Sequence, residues 1–397
     1  MDRCEPRQGG PLVSGFIPYG RQQISEEDIE AVVRVLRSDY LTQGPAVPAF
    51  EQALARYCGA AHAVSMNSAT SALHVSCLAL DVGPGDWVWT SPVTFVASAN
   101  CALYCGAKVD FVDVDPATGN MSADHLAERL AQAERDGNLP KVVIPVHLCG
   151  RSCDMKAIHA LSRRYGFAVI EDASHAIGAR YDGAPVGDCR YSDITVFSFH
   201  PVKIITTAEG GMAMTHDAAL ARRMERLRSH GITRDPCDMT HAPDGPWYYQ
   251  QIDLGFNYRM TDMQAVLGLS QLGRLDAFVD QRHQVAVRYD KALAALPLSL
   301  PPVELDGRSA LHLYVVQVSA AHDRRIVFEA LRARDIGVNV HYNPVYLQPY
   351  YASLGFRRGH CLGAEQYYAG AISLPMYPGL SEADQARVVG ALEDALA

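Results

Sequence analysis

The pattern of apolar and polar positions predicts helices and strands in alternation along the first half of the chain. Residues 25–38 and 48–57 carry apolar side chains at helical spacing, and Ser25 with Asp28 three residues later favours a capped helix start. Short strand-like runs are predicted at residues 61–66, 87–90, 109–112, 142–146, 167–170 and 194–199. Helical patterns separate them at residues 70–80, 94–104, 123–135 and 155–164. Such alternation is typical of an α/β fold with a mostly parallel sheet, which binds ligands at the carboxyl ends of its strands.

The last third of the chain has a different pattern. A helical stretch covers residues 262–295 and leads into the proline-bearing residues 297–302, which we expect to form a hinge. Strands at residues 313–318 and 338–341, a helix at 325–334 and a final helix from Glu382 predict an α+β unit. We therefore expect a large ligand-binding domain of residues 16–270 and a small C-terminal domain of residues 271–397. Whether the N-terminal segment packs on the small domain is left open.

Composition narrows the class of protein. The 397 residues are 48% hydrophobic and 20% charged, which is typical of a globular protein. The net charge of −9 argues against a general nucleic-acid or membrane-surface binder. No apolar run approaches the ~20 residues of a membrane helix, and residues 1–20 are too broken by proline and glycine for a signal peptide. We expect a cytoplasmic protein without nucleic-acid or membrane partners.

The ten cysteines are scattered along the chain. Cys101 and Cys105 are four residues apart, as are Cys149 and Cys153, but no Cys-x2-Cys pair or histidine cluster accompanies them. This favours free thiols in a reducing compartment over a zinc site, so we predict no metal.

Lys203 is the first candidate for chemistry. The chain has few lysines, and this one lies between a hydrophobic run and a Gly-Gly turn, among apolar, small and hydroxyl-bearing residues. Burial lowers the pKa of an ammonium group and frees the amine as a nucleophile. On the local sequence alone, an ordinary loop lysine remains an alternative.

Three further signals lie at or near predicted strand ends. Ser68, Ala69 and Thr70 open a helix directly after a strand, where free backbone N–H groups and the helix dipole favour an anion. Phe95 follows another strand and can stack on a flat ring, and Asp172 ends a third strand. Taken singly, each has an ordinary alternative: a helix cap, a core aromatic and a loop carboxylate.

Together with Lys203, these signals describe one ligand. They provide for a phosphate, a flat ring, a protonated ring nitrogen and an aldehyde, which are the parts of pyridoxal phosphate. That cofactor needs a lysine to hold its aldehyde and a carboxylate to keep its ring nitrogen protonated. The sequence therefore predicts a pyridoxal-phosphate site, with pyridoxamine phosphate as its aminated form.

These motifs resemble the sugar aminotransferases of the DegT/DnrJ/EryC1/StrS family, which have fold type I. The resemblance extends from residues 17–20 to 372–377, and its motifs include residues 41–45, 67–73, 94–95, 171–176, 198–211 and 255–262. Residues 174–176, 205–211 and 340–344 are also similar to the enzymes that aminate UDP-4-keto-6-deoxy sugars on the way to pseudaminic acid. The resemblance implies a large, mostly parallel sheet domain and a smaller α+β domain.

The resemblance also implies roles for individual residues. Lys203 would hold the cofactor and move the proton between cofactor and sugar carbon 4, and Asp172 would pair with the ring nitrogen. His175 stands where many members have glutamine and would contact the ring hydroxyl. The implied phosphate ligands are Ser68, Ala69, Thr70, Ser198 and Asn257, the last from a neighbouring subunit, while Phe95 would stack on the ring. The implied contacts with the nucleotide sugar are Tyr19, Asp39, Tyr40, Leu41, Thr42, His341, Tyr342, Asn343 and Pro344.

The expected activity is transfer of an amino group from L-glutamate to a UDP-linked 4-keto-6-deoxy sugar, giving UDP-4-amino-4,6-dideoxy-N-acetyl-β-L-altrosamine. A homodimer with shared active sites is implied. Three alternatives stay open: an aminotransferase for dTDP- or 3-keto sugars, a pyridoxamine-dependent dehydratase, and a non-catalytic regulator that only binds the cofactor. One branch of the family has histidine in place of the lysine and dehydrates sugars, and Lys203 argues against that branch.

Overall fold

A computed structural model describes residues 15–303 and 307–397. The helices are α1 (Glu26–Leu36), α2 (Ala46–Cys58), α3 (Ala69–Ala79), α4 (Ala97–Tyr104), α5 (Ala123–Asp136), α6 (Met155–Tyr165), α7 (Ala218–Arg228), α8 (Asp262–Leu272), α9 (Leu275–Leu293), α10 (Arg324–Ala333), α11 (Pro349–Ser353), α12 (Leu362–Gly370) and α13 (Glu382–Leu396). Two short 3-10 turns lie at Leu148–Gly150 and Val345–Leu347. No helix in the described ranges is long and apolar enough to cross a membrane. The cytoplasmic location stays a prediction.

The strands form one large sheet and three small ones. They are β1 (His62–Met66), β2 (Trp87–Thr90), β3 (Lys108–Phe111), β4 (Val142–Ile144), β5 (Ala168–Asp172), β6 (Arg180–Tyr181), β7 (Ala184–Pro185), β8 (Ile194–Ser198), β9 (Gly211–Thr215), β10 (Ile232–Thr233), β11 (Gln250–Gln251), β12 (Leu298–Ser299), β13 (Gly307–Arg308), β14 (Tyr314–Val318) and β15 (Ala371–Leu374). The large sheet has seven strands in the order β1-β9-β8-β5-β4-β2-β3.

The large sheet is parallel except for β9. That strand pairs antiparallel with both β1 and β8, whereas β8, β5, β4, β2 and β3 run in one direction. The carboxyl ends of β1, β2, β5 and β8 therefore meet at one edge, and β9 begins at the same edge. This confirms the predicted α/β fold with a mostly parallel sheet.

Most predicted elements are present within a few residues of their expected bounds. The predicted cap of α1 is also present, because the Ser25 side chain accepts from the Asp28 backbone while the Asp28 carboxylate accepts from the Ser25 backbone. The strand β9 was not predicted. Its short run of small and sulfur-bearing residues begins at the second glycine of a Gly-Gly pair. This segment forms a strand because it pairs with β1 and β8.

Two predictions are wrong. The helical pattern at residues 262–295 is two helices, α8 and α9, separated by Gly273 and Arg274. Residues 338–341 form no strand and have a single bridge, between Asn339 and Ser373. Residues 298–299 of the expected hinge pair with β14 in a three-stranded sheet, so part of that stretch is ordered as strand.

The core is divided among several hydrophobic clusters. Three clusters pack on the large sheet, and a fourth joins α9, β14, β15, α10 and α13. Ile17 belongs to the fourth cluster and bridges to Ile336, so the N-terminal segment packs on the C-terminal part of the chain. The domain boundary near residue 270 stays a prediction.

Candidate active site

A cavity of about 720 Å³ lies at the carboxyl ends of the parallel strands. Twelve of the predicted site residues line it: Tyr19, Ser68, Ala69, Thr70, Phe95, Asp172, His175, Ser198, Lys203, His341, Tyr342 and Asn343. They come from both halves of the chain, since the last three follow α10 and the others precede β9. The fold thus brings the predicted cofactor residues and part of the predicted sugar site to one place.

The amino end of α3 forms an anion cradle on one side of the cavity. Ser68 caps this helix, and its hydroxyl accepts from the backbone of Ser71 at 3.1 Å. Within the described part of the chain, the backbone N–H groups of Ala69 and Thr70 donate to no protein acceptor. Two free amides and the positive end of the helix dipole therefore face the cavity, as an anion requires.

Gly211, the first residue of β9, makes this cradle possible. A Cβ at this position would lie 2.5 Å from both the Ala69 nitrogen and the Ser68 carbonyl carbon. No real side chain tolerates such contacts, so only glycine lets β9 pass beneath the start of α3. Ser198 pairs with Gly211 across the two strands and is brought to the same side of the cavity.

Asp172 is buried at the end of β5, and neutral groups orient its carboxylate. The Ser174 hydroxyl and backbone N–H donate to Oδ1 at 2.6 and 3.1 Å, and the Ser98 hydroxyl donates to Oδ2 at 2.6 Å. Ser98 also contacts the Thr94 hydroxyl at 2.8 Å. The sequence reasoning did not identify Ser98, although its spacing of four residues from Thr94 on the start of α4 was a usable signal.

Lys203 lies on the loop between β8 and β9 and is partly buried. Burial lowers its pKa to about 8, although the charge of Asp172 raises the pKa in part. In the described residues its ammonium group has no hydrogen bond or ion pair. A minority of the side chains is thus present as the neutral amine near physiological pH, far more than for an ordinary lysine.

The loop after Lys203 is held by its own hydrogen bonds. The Thr206 hydroxyl donates to the Phe199 carbonyl at 2.9 Å and accepts from the Ala208 backbone at 3.0 Å. The Phe199 backbone N–H donates to the Gly210 carbonyl at 2.9 Å. These bonds close the loop against β8 and fix the direction from which Lys203 enters the cavity.

The hydrogen bonds of His175 determine its tautomer. Its Nδ1 accepts from the Cys149 backbone N–H at 3.3 Å, so the ring proton of the neutral form is on Nε2. Nε2 is 3.3 Å from the Tyr342 hydroxyl and faces the cavity. Burial, and then the charge of Lys203, hold the pKa of His175 well below its ordinary value. His175 therefore offers a hydrogen-bond donor, as the amide of glutamine does.

Two more histidines line the same side of the cavity. The ring of His312 lies 4.3 Å from that of His175, and burial holds its pKa well below the ordinary value. Burial and the charge of Lys203 lower the pKa of His341 to about 3, and its Nδ1 is 2.7 Å from the Ser373 hydroxyl. The three imidazoles are therefore neutral. His312 was not predicted from the sequence.

The other predicted site residues do not line this cavity. Asn257 forms a backbone bridge with Ser229, and Thr42 forms one with Thr261. Tyr40 and Leu41 are 56% and 46% exposed. The ligand contacts expected of these residues, and of Asp39 and Pro344, stay predictions.

The cavity fits pyridoxal phosphate part by part. The first amides of α3 and the hydroxyls of Thr70 and Ser198, which have no partner in residues 15–303 and 307–397, suit the phosphate. Phe95 is 60% exposed at the cavity wall and offers a ring face. Asp172 suits the ring nitrogen, and the amine of Lys203 suits the aldehyde. Among the described residues, no group of three metal-ligating side chains is arranged to hold a metal ion.

Comparison with known proteins agrees with this chemistry. Residues 22–393 match the model of the DegT/DnrJ/EryC1/StrS aminotransferase family. The chain is 40% identical over 385 residues to the spore coat polysaccharide biosynthesis protein SpsC of Bacillus subtilis, covering 96% of this chain and 97% of that one. It is 38% identical over 391 residues to the UDP-4-amino-4-deoxy-L-arabinose–oxoglutarate aminotransferase of Shewanella sediminis, covering 96% and 98% of the two chains.

Solved structures that share this fold are also those of aminotransferases. PseC of Helicobacter pylori, an aminotransferase of pseudaminic acid biosynthesis, has a TM-score of 0.88 at 29% identity, covering 96% of this chain and 99% of that one. The pyridoxal-phosphate form of the sugar aminotransferase Spr1654 of Streptococcus pneumoniae has a TM-score of 0.86 at 30% identity, covering 96% and 100%.

Proposed function

The chain belongs to the DegT/DnrJ/EryC1/StrS aminotransferase family, and from that premise we propose that it aminates carbon 4 of a UDP-linked 4-keto-6-deoxy-N-acetylhexosamine. It is a pyridoxal-phosphate-dependent sugar aminotransferase, which sets aside the non-catalytic regulator. The proposed amino donor is L-glutamate, and the proposed product is UDP-4-amino-4,6-dideoxy-N-acetyl-β-L-altrosamine.

The observation that carries the proposal is the placement of Lys203 and Asp172 in one cavity beside an anion cradle. A lysine at this position favours transamination over dehydration, because it can return as a general base once the donor amine has displaced it. The relatives support the finer choice of sugar. PseC belongs to a pseudaminic acid pathway, and the Shewanella protein is named for a UDP-4-amino sugar and oxoglutarate, the keto acid of glutamate.

The protein groups divide the work between proton movement and orientation. The bound cofactor supplies an electron sink and carries the amino group between donor and sugar. Lys203, with a pKa of about 8, accepts and returns the proton at the donor α-carbon and then at sugar carbon 4. Asp172 would keep the ring nitrogen protonated. His175 Nε2–H would donate to the ring hydroxyl, and Phe95 would stack on the ring.

We also propose a homodimer in which each cavity is completed by its neighbour. Lys203 is the only lysine or arginine among the described cavity-lining residues, so a sugar diphosphate needs cations from elsewhere. Arg259 is partly buried and has no ion pair or hydrogen bond in the described structure, and it lies two residues from Asn257. We propose that these residues and the exposed segment 39–42 serve a partner's site.

A second substrate is favoured by one specific observation. The Shewanella relative, at 38% identity, is named for a UDP-4-amino pentose rather than a hexose. A UDP-4-keto pentose would present the same carbonyl to Lys203 but would lack the methyl and N-acetyl groups. The two candidates share the nucleotide, the carbon that is aminated and the donor.

Measured turnover on a panel of keto sugars tests the proposal. Purified enzyme with pyridoxal phosphate and L-glutamate would be given the UDP-4-keto-6-deoxy-N-acetylhexosamine, the UDP-4-keto pentose, and dTDP-linked 4-keto and 3-keto-6-deoxyhexoses. We expect kcat/KM for the first to exceed that for the dTDP sugars by about 100-fold, with one 2-oxoglutarate formed per amino sugar. Equal or faster turnover of another sugar would overturn the substrate, and ammonia release without a donor would overturn transamination.

A further inference from the structure

A buried arginine contacts the segment that carries His312. Arg282, on α9, is 1% exposed, and within residues 15–303 and 307–397 it forms no ion pair with a carboxylate. Burial lowers the pKa of Arg282 to about 9, so its guanidinium group stays charged at neutral pH. A buried charge is costly unless hydrogen bonds satisfy it. The partners of Arg282 therefore show what this charge is for.

Three backbone carbonyls accept hydrogen bonds from this side chain. Arg282 Nη1 donates to the carbonyl oxygens of Leu311, His312 and Met376 at 3.1, 3.2 and 3.1 Å. The first two residues precede β14, and the third follows β15. Leu311 has a φ of +49°, a conformation that leucine rarely adopts without support from its surroundings. The guanidinium group thus holds a strained stretch of chain in place.

The helix that carries Arg282 also packs against the segment that carries His175. Gly178 lies three residues after His175, and a Cβ at Gly178 would lie 2.8 Å from Val279 Cγ2 and 3.1 Å from Leu275 Cδ1. Val279 and Arg282 are three residues apart on α9, so they lie on the same side of the helix. Through these two residues, α9 contacts both of the segments that bring a histidine to the cavity.

The same two segments meet each other at the cavity. The rings of His312 and His175 are 4.3 Å apart. The His312 backbone N–H donates to the Cys149 carbonyl at 2.9 Å, and the Cys149 backbone N–H donates to His175 Nδ1 at 3.3 Å. These contacts close a ring that runs from α9 through His312 to His175 and back to α9. The position of the His175 ring is therefore coupled to that of Arg282.

We propose that Arg282 is a positioning residue of the active site, which sets His312 against His175 and so directs His175 Nε2–H towards the bound cofactor. This role rests on the proposed contact between His175 and the ring hydroxyl of the cofactor. Arg282 is not among the described residues that line the cavity, so it acts through the two histidines. An apolar side chain could fill the same space, but it would leave three buried carbonyls without a donor.

Cofactor titration tests the proposal without any sugar substrate. Apoenzyme variants would be titrated with pyridoxal phosphate, and the dissociation constant would be measured by tryptophan fluorescence. Arg282→Met removes the donors and should weaken cofactor binding by about tenfold, which corresponds to the loss of one hydrogen bond to an ionised group. Arg282→Lys keeps a charged donor and should restore the dissociation constant to within about threefold of wild type.

Tyr289→Phe is the matched control for general loosening of this region. Tyr289 is fully buried two turns after Arg282 on α9, and its hydroxyl donates to the Pro375 carbonyl at 3.1 Å. Both Tyr289→Phe and Arg282→Met should lower Tm, because each removes a buried donor to the same segment. Tyr289→Phe should leave the dissociation constant of the cofactor within about twofold of wild type. An equal loss of affinity in the two variants would overturn the proposal.

A double-mutant cycle determines whether Arg282 acts through His175. His175→Phe alone should weaken cofactor binding by about tenfold, and adding Arg282→Met should have little further effect, because the group that it positions is gone. Additive losses, or unchanged affinity in Arg282→Met, would overturn the positioning role and leave the proposed function intact. Unchanged affinity in His175→Phe would instead refute the proposed contact with the ring hydroxyl, and the positioning role with it.

His312→Ala provides the same test in a protein that keeps Arg282 and its carbonyl partners. The substitution removes the ring that lies against His175 but retains the backbone N–H that donates to Cys149. Cofactor binding should weaken in His312→Ala and should show no additional loss when His175→Phe is already present. Wild-type affinity in His312→Ala would overturn the proposal even if Arg282→Met fails to fold.

Discussion

Two adjacent carboxylates at the end of β5 are buried to the same degree but serve different ends. Asp172 faces the cavity and is oriented only by neutral donors, from Ser98 and Ser174. Glu171 faces the opposite side of the sheet, where His147 Nε2 is 2.7 Å from Oε2 and the hydroxyls of Ser192 and Thr195 reach Oε1. The chain thus provides Glu171 with an imidazole partner, whereas Asp172 remains available to a cationic group of a bound ligand.

Their surroundings explain how a buried strand end can carry both. Burial raises the pKa of Glu171, but hydrogen bonds from His147, Ser192 and Thr195 lower it below its ordinary value. The His147 ring is itself fixed, because its Nδ1 accepts from the Cys153 backbone at 3.2 Å. A buried carboxylate with a complete set of donors indicates a structural role. One with donors but no charged partner indicates a binding role.

The largest expected effect comes from removing the amine that faces Asp172. Lys203→Ala should lower 2-oxoglutarate formation by about 10⁴-fold, because proton transfer at carbon 4 loses its acid and base. The absorbance band of covalently held cofactor should also vanish from the spectrum. Lys291→Ala, which changes an exposed lysine on α9, is the matched control and should retain full activity. A Lys203→Ala protein with an unchanged cofactor band would refute the assignment.

The next effect distinguishes the two carboxylates by activity. Asp172→Asn keeps the shape but loses the charge that holds the ring nitrogen protonated, so kcat should fall by about 10³-fold. The free energy of unfolding of the apoenzyme should change little, because neutral hydroxyls can hydrogen-bond the amide oxygen as well. Steady-state kinetics and urea denaturation measure the two quantities. If Asp172→Asn lowered the unfolding free energy strongly but kcat only slightly, Asp172 would have the structural role assigned here to Glu171.

Glu171→Gln should show the opposite pattern. The two hydroxyls can accept from the new amide nitrogen, but the buried His147 ring loses its anionic partner, so the apoenzyme should lose about 2–3 kcal/mol of unfolding free energy. Cofactor affinity and kcat should stay within about threefold of wild type at a temperature where the protein is folded. Glu329→Gln, in an exposed pair with Arg325, is the control and should change stability by no more than about 0.5 kcal/mol.

The smallest effect tests whether orientation of Asp172 matters apart from its charge. Ser98→Ala removes the hydroxyl that donates to Asp172 Oδ2. It should weaken pyridoxal-phosphate binding by about tenfold, which is the contribution expected of one hydrogen bond to a charged group. Titration of the apoenzyme with cofactor, followed by tryptophan fluorescence, gives the dissociation constant directly. Ser98→Thr keeps the hydroxyl and should recover most of the affinity. No difference between the two variants would assign Ser98 to packing alone.

The sequence predicts the side of the sheet that binds the ligand, because strand ends and helix starts are local patterns. Asp172 and Ser68 were placed correctly at such positions. Lys203 was singled out by its composition and setting. The resemblance to a known family then supplied what local patterns lack, namely which residues of the C-terminal part, such as His341, line the same cavity.

The features that the sequence did not predict depend on distant contacts. The strand β9 is defined by pairing with β1, which lies far away in the chain, and its own pattern is too short to identify. The break at Gly273 has only a weak local signal in a long helical pattern. His312 is brought to His175 by tertiary packing alone. The local periodicity of apolar residues does not predict contacts between distant parts of the chain.

The antiparallel return of β9 has a consequence for assembly of the site. Since Ser198 pairs with Gly211, the segment carrying Lys203 is a hairpin loop closed by nearby residues. Closing so short a loop costs little chain entropy, whereas bringing His341 to the same cavity joins distant parts of the polypeptide. The reactive amine and its phosphate-side neighbour thus belong to a locally encoded unit. Selection can alter the remote, sugar-facing side without having to rebuild that unit.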